Sequence, residues 1–156
     1  MKAIFAESSN GYMARGPKDD MSWTPGLDKK IFSLLTVFDS GKCVCSNKTY
    51  ALLPQKMLSD PARRYIIAEK TGPNSLVALN QVYHDDAILI GGPTILKEAY
   101  NLSILNTIVV TTVKTEIMAD PKYKNPLADV LKNPVKRIDF GGFVISVYKT
   151  QHGKER

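Results

Sequence analysis

Apolar positions in this chain come in short, compact runs that alternate with stretches of helical period. Residues 2–6 open as a strand. Tyr65-Ile66-Ile67-Ala68 and Ala87-Ile88-Leu89-Ile90 are unbroken apolar runs, the pattern of strands covered on both faces. Residues 27–38 predict an amphipathic helix, with Asp28, Ile31, Phe32 and Leu35 on one face. Residues 42–46 predict a short buried strand. Residues 47–53 predict a second helix, capped by Ser46 or Asn47, and 94–101 a third. Thr107–Val113 is a β-branched strand, and Phe143–Tyr148 alternates as a final antiparallel one. Strands that each lead into a turn or helix require parallel α/β units. With no repeat and no linker, the pattern predicts one α/β domain over residues 1–156.

The polar stretch from Ser8 to Pro25 breaks this rhythm. It is rich in Gly, Pro and Asp and too long for a plain connector, so a functional loop is expected there. A chain of 156 residues with 44% hydrophobic content suits a single core. No apolar run approaches the roughly 20 residues of a membrane span, and Glu7 interrupts any signal-peptide pattern. Cys43 and Cys45 lie two apart on one strand, an awkward geometry for a disulfide, which favours a reduced, cytoplasmic setting. Two His residues provide no metal constellation, so no metal is expected. The net charge of +6 is spread along the chain without an arginine–aromatic stripe, so neither a nucleic acid nor a membrane is the expected partner. The closing run from Lys149 to Arg156 predicts a solvated tail.

Two segments carry candidate chemistry. In Met21-Ser22-Trp23-Thr24-Pro25-Gly26-Leu27-Asp28-Lys29-Lys30-Ile31-Phe32, Asp28 sits on a helix face that should be buried. A buried acid is expensive without a partner, and a heterocycle with an N–C–NH2 edge would be one. A helix N-cap is the competing explanation. In Ile88-Leu89-Ile90-Gly91-Gly92-Pro93-Thr94, a buried strand ends in two glycines that open a helix. Paired glycines let backbone approach a ligand and leave helix N–H groups free for phosphate, though a tight turn alone would also use them. Val44-Cys45-Ser46-Asn47-Lys48-Thr49 repeats the strand-to-helix arrangement. Two such ends suit a dinucleotide, yet no GxGxxG fingerprint is present.

Together these residues resemble dihydrofolate reductase. The resemblance spans the chain in family order. It begins with Ile4-Phe5-Ala6, Asn10-Gly11-Tyr12-Met13-Ala14, Met21-Ser22-Trp23 with Asp28 five residues after the Trp, and Phe32. It continues through Asn47-Lys48-Thr49, Arg63 before Tyr65-Ile66-Ile67, Ile90-Gly91-Gly92, and Thr111 with Asp120 nine residues on.

The resemblance implies a single-domain dihydrofolate-reductase-like fold: a central, mostly parallel sheet, an antiparallel C-terminal strand and flanking helices. It also implies an NADPH-dependent oxidoreductase that reduces 7,8-dihydrofolate to 5,6,7,8-tetrahydrofolate, acting as a monomer. Asp28 would accept two hydrogen bonds from the pterin N3 and 2-amino group, a bidentate fork supported by Thr111. Burial should raise the Asp28 pKa. Met21 and Trp23 complete the implied catalytic set, Met21 over the nicotinamide. Ile4, Phe5 and Ile90 would line the substrate site. Phe32 and Leu53 would flank the benzoyl ring, and Arg63 would grip the glutamate carboxylate. For Phe32 plain core, and for Arg63 an exposed cation at a strand start, are the alternatives. Ala6, Met13, Ile90, Gly91, Gly92, Pro93, Thr94 and Ile95 match positions around the cofactor, with a cis peptide at Gly91–Gly92. Asn47, Lys48, Thr49 and Lys70 match its phosphate end. Residues 13–23 match the mobile lid, whose backbone Asp120 would bind.

Several positions depart from the family. Ser46-Asn47-Lys48-Thr49 lacks the usual arginine for the 2′-phosphate, leaving Lys48 and Lys70 as point charges beside Glu69. Leu96 stands where an aromatic hydroxyl often lies, the lid is two residues longer, and the region from Lys70 to Ala87 is short by about one element. Two other functions share these features. One is a related-fold pyrimidine reductase of riboflavin synthesis, which need not keep an acid at the Asp28 position. The other is a non-catalytic folate- or nucleotide-binding module on the same scaffold.

Overall fold

The computed structural model describes residues 1–38 and 41–150. The tail residues Lys154 to Arg156 lie outside it. Seven strands form one sheet: β1 (Lys2–Ser8), β2 (Lys42–Cys45), β3 (Arg64–Ile67), β4 (Ala87–Gly91), β5 (Thr107–Val113), β6 (Lys136–Asp139) and β7 (Phe143–Lys149). Five α-helices accompany them: α1 (Gly26–Phe38), α2 (Asn47–Leu52), α3 (Gln55–Leu58), α4 (Leu76–Tyr83) and α5 (Pro93–Asn101).

The sheet order is β3-β2-β4-β1-β5-β7-β6. Its first five strands pair in parallel, and β7 and β6 close it antiparallel. β1 registers with β5 along its whole length, from Lys2 opposite Thr107 to Ser8 opposite Val113. The β-branched run of β5 is thereby covered on both sides, as its composition anticipates.

Side chains alternate between the two faces of the sheet. Ala3, Phe5, Val44, Leu89, Ile108 and Val110 join Leu76 and Leu79 of α4 and Leu96 and Ala99 of α5 in the main core. On the other face Val109, Val113, Phe143 and Ile145 pack with Ile31 of α1 and with Trp23. The result is three layers, helix–sheet–helix.

From β1 the chain crosses through α1 to β2 on one side; from β4 it crosses through α5 to β5 on the other. Crossovers that leave neighbouring strands in opposite directions open a crevice at the strands' carboxyl ends. Ala6, Gly91 and the starts of α1 and α5 all lie at that end.

Three expectations change. The helix expected over 47–53 stops at Leu52, Leu53 is extended, and Pro54 leads into the unanticipated α3. The short region before Ala87 holds one helix, α4, and an isolated bridge between Glu69 and Ser75, so β3 is the sheet edge. β6 was not foreseen: all four of its residues are exposed, and Lys136, Arg137 and Asp139 give it the charged character of an edge.

Candidate functional site

Asp28 is the third residue of α1, two places inside the helix, so it is not the N-cap. Its 7% exposure makes it one of the few buried carboxylates in the chain. Its partner comes from the sheet, where the Thr111 hydroxyl donates to Asp28 Oδ1 at 2.7 Å. Burial pushes the Asp28 pKa up, and the Thr111 bond and nearby Lys29 oppose the rise only in part. The second oxygen is available to accept from a ligand. Thr111 lies opposite Ala6 on β1, and Ile4 and Ile90 share that face of the sheet. Phe32, one helical turn after Asp28, is only partly buried and belongs to neither core cluster; Leu53 is likewise partly exposed. Both are placed as walls of the crevice.

Other assigned residues face elsewhere. Phe5 alternates away from Ile4 and Ala6, and its side chain is in the main core with Met13. Neither side chain lines the Asp28 site, so any contribution of theirs is through backbone. Ile95 also packs against the main core.

Arg63 is neither an exposed cation nor an open clamp. Its side chain is 4% exposed, with Nη1 on Asp60 Oδ2 at 3.3 Å and Nε donating to Thr36 Oγ1 at 3.1 Å. It staples the end of α1 to the turn before β3.

The glycine turn forms a second centre. The Gly91–Gly92 peptide bond is cis, and Gly91 has φ +129°. A Cβ at position 91 would meet only Thr49 Oγ1, at 4.0 Å, so the space beyond it is open to a ligand. Ser46 stitches the two helix starts together. Its N–H donates to the Gly91 carbonyl at 2.9 Å. Its hydroxyl oxygen accepts from Gly92 N–H at 3.3 Å and Thr49 N–H at 3.2 Å, and its O–H donates to Thr49 Oγ1 at 3.0 Å. Ser46, not Asn47, is therefore the cap of α2. Pro93 at the start of α5 has the fixed φ that suits a first helical turn, and Thr94 is exposed beside it. Asn47, Lys48 and Lys70 are exposed. A cleft of about 720 Å³ runs from Pro93 and Thr94 along α5, between Lys97 and Glu98 and the facing Lys122, Lys124 and Asn125. It is continuous with the glycine turn and does not reach Asp28.

The loop between β1 and α1 is ordered by its own side chains. Asp19, Arg15 and Trp23 bind one another, and Met21 holds a left-handed φ of 59°. Asp120 does not bind the lid: its carboxylate accepts from Lys122 N–H at 3.0 Å, capping a 3-10 turn. The lid stem is held instead by Met13 N–H donating to the Tyr123 carbonyl at 2.8 Å, and by Asn125 N–H donating to Gly11 at 2.8 Å.

Two further carboxylates escaped the sequence pattern. Asp19 had no signal beyond its place in a polar loop. Glu7 did have one, as an acid inside an apolar strand. It accepts from Thr112 Oγ1 at 3.2 Å and Asn125 Nδ2 at 3.3 Å, and burial raises its pKa against those bonds.

No protein-family model matches this chain, and no curated protein does. Solved structures do. Schistosoma mansoni dihydrofolate reductase superposes with a TM-score of 0.65 at 20% identity, covering 95% of this chain and 96% of that one. A protein assigned to riboflavin biosynthesis from Shewanella sp. PV-4 gives a TM-score of 0.70 at 13% identity, over 95% and 97%. The chain has the dihydrofolate-reductase-like fold, a single α/β domain with a mixed seven-stranded sheet. Among the described residues no helix is long and apolar enough to cross a membrane, and no cluster of His, Cys, Asp and Glu could hold a metal.

Proposed function

We propose that this protein is a dihydrofolate reductase, transferring hydride from NADPH to 7,8-dihydrofolate in a reducing cytoplasm and acting as a monomer. The observation that carries this is the buried Asp28–Thr111 pair beside the crevice at the sheet's carboxyl end. An ionised Asp28 would accept from a ring N–H and its neighbouring amino group, fixing the heterocycle in one orientation. Thr111 spends its only hydroxyl proton on Oδ1, which orients the carboxylate. The bound cofactor supplies the hydride; the chain supplies position and a dry, polarised site. The open space at Gly91 and the free start of α5 fit a dinucleotide's nicotinamide and pyrophosphate. Lys48 and Lys70 would attract the 2′-phosphate as point charges. Arg63, being occupied by Asp60 and Thr36, would reach a substrate carboxylate only through its remaining N–H groups.

The likeness to a riboflavin-biosynthesis protein favours a second substrate, a pyrimidine reduced by the same cofactor. Asp28 speaks against it, since that chemistry has no need of a buried acid there. Oxidation of NADPH with dihydrofolate or with the pyrimidine as acceptor separates the two. Turnover of the pyrimidine alone would overturn the proposal.

A further inference from the structure

The lid is built around one carboxylate that the reaction above does not use. Asp19 lies in a loop, yet its side chain is only 1% exposed. Its Oδ2 accepts from the Arg15 backbone N–H at 2.7 Å and from the Trp23 indole N–H at 2.8 Å. Its Oδ1 accepts from Arg15 Nε at 3.1 Å, Arg15 Nη2 at 2.9 Å and the Met21 N–H at 2.9 Å. Burial alone would raise this acid's pKa, but the bonds from Arg15, Trp23 and Met21 outweigh it and hold the carboxyl below its ordinary range. The loop is organised around the charged form.

These bonds connect the lid to the site wall. The Trp23 ring packs against Val113, Phe143 and Ile145, the surface flanking Thr111, and against Ile31, one helical turn after Asp28. An indole has a single N–H to give, and Trp23 gives it to Asp19. Arg15 contributes less. Its side chain is 43% exposed and divides its bonds among Asp19, Asp20 and Ser22, an arrangement that water largely screens. The two backbone N–H groups and the indole are the bonds that shape the loop.

We infer that Asp19 is a positioning residue: through Trp23 and Met21 it holds the segment 13–23 ordered against the Asp28–Thr111 wall, so that the lid covers the bound pterin and nicotinamide. The kinetic half of this rests on the reductase function proposed above; the ordering of the lid does not.

The test is Asp19→Asn, which keeps the shape but removes the charge and turns a donor toward one of the N–H groups. Without any ligand, the emission of Trp23, the only tryptophan in the chain, should shift to the red and become more open to acrylamide quenching. Backbone amides at 15 and 21 should exchange about tenfold faster or more, as expected for the loss of a charge-assisted bond. Amides of β1, β4 and β5 should not change. Arg15→Ala should produce a much smaller change.

With NADPH and dihydrofolate, single-turnover hydride transfer should slow by about tenfold or more and cofactor should dissociate faster. Trp23→Phe should reproduce this loss, and adding Asp19→Asn to it should contribute little further. Unchanged lid exchange and Trp23 emission in Asp19→Asn would overturn the inference whatever the activity. If Asp19→Asn does not fold, Trp23→Phe decides by the same exchange measurement: faster lid exchange supports the inference and unchanged exchange overturns it. Wild-type protein inert toward dihydrofolate, with the exchange response intact, would overturn the reductase proposal and the kinetic half, and would support lid ordering.

Discussion

Replacing Asp28 with Asn separates function from stability more cleanly than any other change. Asn keeps the volume, and its carbonyl can still accept from Thr111 Oγ1, now 2.7 Å from Oδ1. The other atom becomes an amino group facing the ligand's own donors. Two charge-assisted bonds of about 1.5–3 kcal/mol each are weakened or lost. That amounts to roughly 3–6 kcal/mol, or about two to four powers of ten in kcat/KM. Stability should move the other way. Burial raises the Asp28 pKa, so the folded state holds this proton more tightly than the unfolded chain does. The resulting cost is absent below the unfolded-state pKa and present once pH exceeds the raised folded value. Asp28→Asn should therefore be as stable as wild type in acid and equal or more stable at neutral pH. Urea unfolding across that pH range and steady-state kinetics on the same samples make the comparison. Part of the lost activity should return at low pH, where substrate arrives already protonated. A variant destabilised by more than about 1 kcal/mol at neutral pH, with kcat/KM unchanged, would make Asp28 a structural acid and refute the reasoning.

Other changes probe the remaining parts of the site. Gly91→Ala places a Cβ at φ +129°, a conformation that costs a non-glycine residue on the order of 1–3 kcal/mol. It should abolish NADPH quenching of Trp23 fluorescence while the protein still folds; native affinity would place the dinucleotide elsewhere. Replacing Lys48 and Lys70 together by Ala should raise the KM for NADPH far more than that for NADH, and equal use of both cofactors by wild type would rule out this phosphate site. Glu7→Gln should raise Tm at neutral pH, by about 2–4 °C per kcal/mol recovered, because the buried Glu7 has a raised pKa. That gain should fade as pH falls below the ordinary carboxylate range, and a pH-independent shift would assign it to packing.

Much of this architecture was legible because strands covered on both faces have to be apolar. The runs at 65–68 and 87–90 and the β-branched run at 107–113 therefore marked the sheet. Asp28 could be found because its helical period put a charge among apolar neighbours. Distinguishing cap from buried acid needed the helix start at Gly26 and the Thr111 bond, and neither is periodic. β6 stayed hidden because an edge strand with exposed side chains carries no hydrophobic pattern. Arg63 was misjudged because Thr36 and Asp60 meet it only after α1 and the turn before β3 come together. Asp19 was missed because its partners at 15, 21 and 23 surround it through loop geometry, for which spacing gives no rule. Phe5 and Met13 matched by position, but their side chains serve the core.

The central claim is that the crevice bounded by Asp28, Thr111 and the Gly91–Gly92 turn reduces dihydrofolate. Following NADPH absorbance with purified protein and 7,8-dihydrofolate tests it directly, with Asp28→Asn as the paired control. The account predicts steady NADPH oxidation with tetrahydrofolate formed in equal amount, and a loss of two or more powers of ten in the variant. Absence of turnover by folded wild-type protein, or turnover that Asp28→Asn leaves intact, would contradict it.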